Sequence, residues 1–454
     1  MLNTNKEFEA SKYGKFEIKL KRKSVVKAVN HSPNPFSVPL SNLDLLSGRF
    51  PVTYIYFYHK PKVENFRTFV ESLKSSLAQV LSYYYPFAGQ IVQNPITFEP
   101  EIICDNKGAL LIQAHVDIPL KKLDFYNLNE TFQEKIVSIQ PDFPLQIQVT
   151  NYTCGGISIA FSFDHALGDA SSFGKFITSL CEIAQNKPIS CIPNHTRHLP
   201  PRSPLKYQPS LDQTFIKCTK EEINNIPMSH ISLKRLYHIN ASSINMLQRL
   251  ASNGSTKRTK IEAFSAYVWK IMASSIDQSH EKCKMGWLVD GRERISKGKS
   301  SMSNYIGNVL SLAFREASIQ ELKEASISDI GSIVNESISK VNNEAHFLDL
   351  IDWVECNRPG LMLAKTVLGQ EGPTLVVSSG RRFPVTEIDF GFGSPLLGTV
   401  YTSIERSGVG YMNQRPSAKG DGSWTISAIL WPKLATVLEN DSIFQPMSAS
   451  YLNL

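Results

Sequence analysis

The sequence predicts an α/β protein of mixed α+β type, built from two domains with mixed sheets. Both halves of the chain contain strand-like and helix-like segments that do not alternate regularly. At 454 residues the chain is long for one domain and natural for two. A proline-rich stretch without sustained periodicity covers residues 186–208, which indicates a long linker. We therefore place the N-terminal domain at 1–185, the linker at 186–212 and the C-terminal domain at 213–454.

The N-terminal half is predicted to be a sheet with two long helices. An alternating, charged segment at 15–21 is typical of an edge strand. Apolar residues at helical spacing predict a helix that begins near Phe66 and is stopped by Pro86. Another apolar series predicts a helix from Phe173 to Ala184. Further strands are predicted at 52–58, 102–104, 110–113, 145–149 and 156–163.

The C-terminal half is predicted to mix the two element types again. Four helices and a short fifth one after Pro432 are expected on periodicity. The four helices are placed at 241–252, 260–274, 319–341 and 345–356. Strands are placed at 286–289, 307–314, 374–377, 398–403 and 424–430.

Composition excludes several classes of protein. A hydrophobic content of 42% with 24 Phe and 16 Tyr favours large packed cores. The net charge of +7 is dispersed and lacks interleaved aromatics, which favours a small anionic ligand over nucleic acid. Seven cysteines without a C-x-x-C pair indicate free thiols and no metal site. The sequence shows neither a signal peptide nor an apolar run long enough for a membrane span, so we expect a cytoplasmic protein without a membrane partner.

The segment FSFDHALGDASSF, at 161–173, carries the strongest catalytic signal. His165 stands where the predicted strand gives way to a helix, and Asp169 follows at the helix start. A histidine in such a place can act as a general base near neutral pH. A carboxylate there can cap free amide groups. Taken alone, the spacing fits a buried histidine bonded to a capping aspartate better than it fits a catalytic base.

Three other groups of residues are less specific. Lys257, Arg258 and Lys260 precede a predicted helix, where they could hold a phosphate group or form an ordinary solvated turn. Gly298-Lys299-Ser300 resembles the end of a phosphate-binding loop but lacks the upstream glycine, and we interpret it as a solvated loop. Asp389 begins the turn DFGFG, where an arginine partner is expected but not identified by the sequence.

Taken together, these motifs resemble the plant BAHD acyltransferase family. HALGD matches the family's H-x-x-x-D-G signature up to its aspartate, and DFGFG matches D-F-G-W-G. Supporting blocks are LSNLDLL at 40–46, YYPFAGQ at 84–90, VDGRER near Arg292 and YIGN near Gly307, so the resemblance covers nearly the whole chain. LSNLDLL, HFLDLIDWVECNRPG, SSGRRFPV and the final YLNL resemble the coniferyl alcohol acyltransferase-like group most.

The resemblance implies two chloramphenicol-acetyltransferase-like domains joined by a long crossover loop, with the active site in a channel between them. Acyl-CoA would be a co-substrate, with no permanently bound cofactor, and a monomer would act on a small-molecule acceptor. His165 would deprotonate the acceptor, and Asp169 would orient its loop. Asp389 would pair with Arg292 away from the chemistry. Lys257, Arg258 and Lys260, together with Ser378 and Ser379, would contact CoA.

Three residues depart from the family pattern. Ala170 replaces the glycine after the aspartate, and Phe392 replaces a tryptophan. Gly380 stands where many relatives carry the tryptophan of Thr-Ser-Trp. We expect Gly380 and Phe392 to line the acceptor pocket. In relatives that carry the tryptophan, its N–H can donate to the oxyanion; here either another donor such as the Ser378 hydroxyl does so, or the site accepts a bulkier acceptor. The leading hypothesis is acyl transfer to a phenylpropanoid-type alcohol; the alternative is a catalytically weak protein that binds acyl-CoA or a metabolite.

Overall fold

The computed structural model describes residues 16–61, 65–225, 232–254, 256–277, 279–296, 302–369, 372–381, 383–402 and 409–454. The segment Gly298–Ser300, Ser255 and the first fifteen residues lie outside them. The strands, in chain order, are β1 Ile18–Val26, β2 Phe36–Pro39, β3 Pro51–Tyr58, β4 Gln90–Gln93, β5 Pro100–Cys104, β6 Ala109–Val116, β7 Leu145–Tyr152, β8 Ile157–Asp164, β9 Phe215–Cys218, β10 Leu233–Ile239, β11 Lys282–Asp290, β12 Leu310–Ser318, β13 Leu361–Ala364, β14 Thr374–Ser379, β15 Leu397–Thr402, β16 Val409–Pro416, β17 Trp424–Leu430 and β18 Gln445–Pro446.

The helices alternate irregularly with these strands, as expected for a mixed α/β fold. In chain order they are α1 Asn42–Ser47, α2 Phe66–Tyr83, α3 Leu128–Thr131, α4 Ala170–Ala184, α5 Leu211–Thr214, α6 Lys220–Asn224, α7 Ala241–Ala251, α8 Lys260–Ser275, α9 Arg292–Ile295, α10 Ile319–Glu324, α11 Ile327–Val341, α12 Glu344–Asn357 and α13 Pro432–Glu439.

The first large sheet has six strands in the order β1-β6-β7-β8-β3-β15. Its one parallel pair is β6 with β7, and the others are antiparallel, so the sheet is mixed. β1 is an edge strand, which confirms the prediction from its charged alternation. β3 pairs with β8 so that Pro51 lies opposite Asp164 and Tyr58 opposite Ile157. His165 therefore follows directly after the end of a central strand.

Helices α2 and α4 pack together beside this sheet. Asn65 caps α2 by accepting the amide of Thr68 at 3.0 Å. The helix ends at Tyr83, ahead of the turn that contains Pro86, as predicted. Phe173 and Phe176 of α4 are completely buried, which confirms the apolar series as the inner face of the helix. The packing of α4 fixes its N-terminus, and with it Asp169, beside the end of β8.

The second large sheet has seven strands in the order β12-β11-β14-β16-β17-β10-β18. β14 lies parallel to both β11 and β16, while the remaining pairs are antiparallel. The predicted linear division assigns Leu397–Thr402 to the C-terminal half, whereas this strand, β15, pairs with β3 in the first sheet. The C-terminal half thus extends the sheet of the N-terminal half.

The linker at 186–208 has neither helix nor strand, as its composition predicts. It is nevertheless held to both halves of the molecule. Arg202 binds Asp349 at 2.6 Å and Asp352 at 2.7 Å on helix α12. Nε2 of His195 lies 2.8 Å from the carbonyl oxygen of Tyr83 at the end of α2. The linker is therefore attached to one helix of each half, α2 and α12.

The sequence predictions differ from the structure in one long helix and in several strands and short helices. The single helix expected at 319–341 is two helices, α10 and α11, because Ser326 forms a capping box with Asp329 and begins a new helix. Strands β10 and β16 are missing from the prediction, because their apolar residues are interrupted by charged and amide side chains. The short strands β2, β4, β9, β13 and β18 are missing as well, because two to four residues carry too little pattern. In the described residues, helices that combine the length and apolarity needed to cross a bilayer are absent.

Candidate active site

His165 begins a single 3-10 turn, residues His165–Leu167, directly after β8. Its backbone amide donates to the carbonyl oxygen of Phe50 at 2.9 Å, continuing the pairing of β8 with the chain before β3. The Phe50 ring stacks on the imidazole, with centroids 4.5 Å apart. Asp164 caps the turn by accepting the amide of Ala166 at 2.9 Å. The imidazole is thus held in one orientation by the end of the sheet.

The surroundings of His165 favour its neutral form. Burial lowers the pKa of His165 below its ordinary value of 6.5, and the negative charges of Asp169, Asp164 and Asp44 only partly oppose this. Nδ1 is buried and has no hydrogen-bond partner. A neutral imidazole at neutral pH can accept a proton, which is the property that a general base requires.

Asp169 is the N-cap of α4 and the partner of Arg292. Its Oδ1 accepts the amides of Ser171 and Ser172, both at 3.1 Å. Nη1 of Arg292 donates to Oδ2 at 2.7 Å and Nη2 donates to Oδ1 at 3.0 Å, which makes the pair bidentate. Both side chains are at most 2% exposed. Because Arg292 belongs to α9 after β11, this buried ion pair joins the two halves of the molecule.

The expectation that Asp389 pairs with Arg292 is wrong. Arg292 is committed to Asp169 and also contacts Asp290 at 3.2 Å. Oδ1 of Asp389 instead accepts the amides of Gly391, Phe392 and Gly393 at 2.7–2.9 Å. These bonds shape the DFGFG turn, where both glycines have positive φ. Asp389 is therefore a local turn residue, and the interface aspartate is Asp169.

Phe392 does not line a pocket at His165, contrary to the sequence interpretation. Its ring packs edge-on against Tyr58 and Phe69, each with centroids 5.0 Å apart. Tyr58 is the last residue of β3, whereas Pro51, the first, is the one beside His165. At the usual rise of a strand these two ends of β3 are about 23 Å apart. Beside Phe392 is a cavity of about 160 Å³, lined mostly by apolar residues of α2 and by the DFGFG turn. This cavity lies far from the candidate base.

Two residues that the sequence patterns did not single out donate to the carbonyl groups of the His165 turn. Nη1 of Arg197, in the linker, donates to the carbonyl of Ala166 at 2.7 Å, and its Nη2 donates to that of Leu167 at 2.6 Å. Nδ2 of Asn308 donates to the carbonyl of His165 at 3.0 Å.

Asp44 joins these two donors. It lies 3.2 Å from Arg197 Nη1, and its Oδ1 accepts Nδ2 of Asn308 at 2.9 Å. The blocks LSNLDLL and YIGN contain Asp44 and Asn308, but only the fold shows that they meet.

Ser378 and Ser379 end β14 and are engaged within the second sheet. The Ser378 hydroxyl lies 2.6 Å from that of Tyr411 and accepts Nδ2 of Asn413 at 2.6 Å. The Ser379 hydroxyl lies 3.3 Å from Oε1 of Gln414. These contacts occupy Ser378 in a polar network between β14 and β16, and its proposed role toward an oxyanion or CoA stays a prediction.

Gly380 leaves no open space, so the idea of extra room for a bulkier acceptor is wrong. A Cβ atom at this position would lie 2.8 Å from the carbonyl oxygen of Gln414 and 3.0 Å from Cβ of Arg415. The Gly380 amide also donates to that same carbonyl. Arg415 on β16 therefore takes up the space beside Gly380.

We expect Gly380→Ala to lower the free energy of unfolding by about 1–3 kcal/mol, because the backbone of β16 must shift to admit the methyl group. Denaturant-induced unfolding measures this change. The matched control is Gly254→Ala, since a Cβ at Gly254 would meet nothing within 4 Å. Equal stabilities of the two variants would contradict the close packing at Gly380.

The basic residues before α8 form the start of a capped helix. Thr259 caps α8 in a capping box with Glu262. Nη2 of Arg258 donates to the hydroxyl of Ser332 on α11 at 2.9 Å, while Lys257 is exposed. Lys257 and Lys260 thus flank a helix N-terminus, where an anion is favoured. The contact of these residues with CoA phosphates stays a prediction.

Sequence comparisons relate this chain to known proteins. The sequence model of the Transferase family matches residues 16–443. Anthranilate N-benzoyltransferase protein 1 of Dianthus caryophyllus is 28% identical over 91% of this chain and 96% of its own length. Shikimate O-hydroxycinnamoyltransferase of Nicotiana tabacum is 24% identical, with the same shares covered.

Solved structures show the same fold. Vinorine synthase superposes with a TM-score of 0.72 and 18% identity, covering 95% of this chain and 100% of its own. F. graminearum TRI101 complexed with coenzyme A and T-2 mycotoxin superposes with a TM-score of 0.73 and 16% identity, covering 90% of this chain and 99% of its own.

Proposed function

Because this chain belongs to the BAHD family of acyltransferases, we propose that it moves an acyl group from a CoA thioester to the hydroxyl or amine of a plant specialised metabolite, with a phenylpropanoid-type alcohol as the acceptor. The observation that carries this proposal is a neutral histidine, held by the end of β8, beside an ion pair that joins the two halves of the molecule. The names of related benzoyl- and hydroxycinnamoyltransferases support aromatic acyl donors.

His165 would act as the general base. With Nδ1 buried, Nε2 is the nitrogen that an acceptor can approach. Nε2 takes the proton of the acceptor hydroxyl while the hydroxyl oxygen attacks the thioester carbonyl carbon. A tetrahedral intermediate forms. Collapse of the intermediate breaks the carbon–sulfur bond, and the CoA thiolate recovers the proton from the imidazolium. No covalent acyl-enzyme is formed in this sequence.

The remaining residues would position this base and its substrates. Arg197 and Asn308 hold the carbonyl groups of the His165 turn, and Asp169 holds the start of α4. Lys257 and Lys260 would bind CoA phosphates at the start of α8. We include in the proposal that the enzyme is a cytoplasmic monomer without a permanent cofactor, and that it belongs to the coniferyl alcohol acyltransferase-like group.

The test is a panel of aromatic and short-chain acyl-CoAs against phenylpropanoid alcohols, shikimate, quinate and polyamines, followed by mass spectrometry. We expect an ester or amide product from at least one aromatic acyl-CoA, in amounts that rise with enzyme concentration. The control is the same panel with heat-inactivated enzyme. Binding of acyl-CoA without any product would instead support the alternative of a catalytically weak binding protein.

The pH dependence of kcat/KM should report the pKa of His165. Since the base must be neutral and burial lowers its pKa, activity should be complete at neutral pH and fall only as the pH drops through a midpoint below 6.5. The measurement uses an alcohol acceptor without ionisable groups, so that only the enzyme titrates. An acid limb with its midpoint above 6.5 would contradict the environment described for His165.

A further inference from the structure

Arg415 on β16 is a buried cation with one unused donor. Its side chain is about 1% exposed. Nε donates to Oδ1 of Asn413 at 3.1 Å, and Nη2 donates to the same atom. Nη1 is buried and has no hydrogen-bond partner. The guanidinium lies over the ring of Phe383, with Cζ 4.5 Å from the centroid, and 5.9 Å from that of Tyr54.

No acidic side chain of the described residues forms an ion pair with Arg415. Burial lowers its pKa to about 10, which still leaves it charged at neutral pH. Burial likewise raises the pKa of the neighbouring Tyr54, Tyr56 and Tyr411, so these phenols stay neutral and supply no counter-charge. A buried charge without a partner is strongly unfavourable, and proteins normally pair it.

The position of Arg415 relates it to the candidate base. Tyr54 lies opposite Phe161 in the pairing of β3 with β8, and its ring leans on Phe163 at 5.4 Å. His165 is two residues beyond Phe163, on the same face of the sheet by alternation. Arg415 contacts the other side of Tyr54 from the second sheet. The Arg415 guanidinium and the His165 imidazole thus both face the gap between the two sheets. From the rise of a strand and the width of one ring, they lie on the order of 10 Å apart.

The side chains around Arg415 form a polar layer within this gap. Tyr411, Asn413 and Arg415 alternate on one face of β16, and Ser378 joins the first two. The Ser427 hydroxyl on β17, opposite Asn413, is also buried without a partner. Unsatisfied buried polar atoms are rare in folded proteins unless water or a ligand satisfies them. A separation on the order of 10 Å is too long for Arg415 to reach an oxyanion at His165.

We propose that Arg415 binds a carboxylate of the acceptor, so that the acceptor is an acid whose reacting hydroxyl or amine lies remote from its carboxylate; this rests on the acyl transfer proposed above. Nη1 would donate a charge-assisted hydrogen bond without giving up an existing one. A carboxylate would also neutralise the buried cation.

The test compares coumarate, caffeate and quinate, each beside its methyl ester, in wild type and in Arg415→Met. Binding is followed by thermal shift without acyl-CoA, and transfer by kcat/KM with one acyl-CoA held fixed. For at least one pair, wild type should favour the acid over the ester by about ten- to a hundredfold, the range of a hydrogen bond to a charged group. Arg415→Met should lose this preference, keep its activity on esters, and melt at the same or a higher temperature.

Arg235→Met is the matched control, because Arg235 lies on β10 of the same sheet and is already paired with Glu439. The ratio of kcat/KM for an acid to kcat/KM for its methyl ester should be the same in Arg235→Met as in wild type. If Arg415→Met fails to fold, Arg415→Lys replaces it and should show a reduced ratio. Equal binding of every acid and its ester by wild type, or a ratio unchanged by either Arg415 substitution, overturns the proposal. Absence of transfer to any acceptor refutes the proposed function instead, since the thermal-shift comparison does not depend on transfer.

Discussion

His165→Ala should lower kcat for acyl transfer by roughly a hundred- to ten-thousandfold while the protein stays folded, because a positioned general base contributes about that factor. The imidazole is the only part that is lost, since the turn is held through its backbone by Phe50, Arg197 and Asn308. We therefore expect circular dichroism and the melting temperature to change little. The measurement is the rate of product formation from one acyl-CoA and one acceptor, with background hydrolysis of the thioester subtracted.

The control is His198→Ala, which removes an exposed histidine from the linker and should leave turnover unchanged. Should folded His165→Ala retain substantial transfer, the assignment of the base is wrong. The acid limb of the pH profile should also disappear from whatever residual activity remains.

Asp169→Ala should have the second largest effect, and it should act on stability as well as on activity. The substitution removes three hydrogen bonds that backbone amides donate to Asp169. It also takes away the bidentate partner of the buried Arg292 guanidinium, which keeps the contact with Asp290 at 3.2 Å. Removing one partner of a buried ion pair costs about 3–5 kcal/mol. The free energy of unfolding, measured with denaturant, and kcat should therefore both decrease. Lost activity with an unchanged unfolding midpoint would point to a direct catalytic role for Asp169 instead.

The same pair gives a pH dependence with a defined sign. Burial acts to raise the pKa of Asp169, but the charge and hydrogen bonds of Arg292 outweigh it, and the net pKa lies below its ordinary value. A carboxyl with a depressed pKa stabilises the fold above its unfolded pKa, and this stabilisation is lost as the pH falls through the folded pKa. Asp169→Asn should therefore be less stable than wild type at neutral pH, and this difference should shrink as the pH falls through the folded pKa of Asp169.

Asp389→Ala is the natural comparison, because its three amide partners lie in a turn where Gly391 and Gly393 are exposed. Water can replace the carboxylate there, so the cost should be about 1 kcal/mol, with activity largely retained. If Asp389→Ala lowered stability and activity as much as Asp169→Ala, the assignment of Asp389 to a local turn and of Asp169 to the interface would be wrong.

The sequence by itself determined most of the long helices and strands, and it singled out the candidate base. Apolar periodicity placed α2, α4 and α8, since a helix that packs on a sheet must bury one face. The H-x-x-x-D spacing put His165 after a strand and Asp169 at a helix start, which are local relations along the chain. Residue patterns within a short segment can carry such information because it concerns neighbours in sequence.

Only the tertiary structure decided which distant residues meet. Asp169 and Asp389 are both plausible partners for Arg292 in the sequence. The fold brings the start of α4, and not the DFGFG turn, to Arg292, and this selects Asp169. The same holds for Asp44, Arg197 and Asn308, which lie far apart in the chain and converge on one turn.

The gap between the two sheets shows this limit most clearly. The sequence indicates a missing side chain at Gly380, whereas the structure fills that space with Arg415 from the adjacent strand. Whether a glycine leaves a cavity depends on what the neighbouring strand places there, and strand pairing between β14 and β16 is set by long-range packing. Local sequence determines the elements and the reactive group; the shape and charge of the site come from contacts between elements.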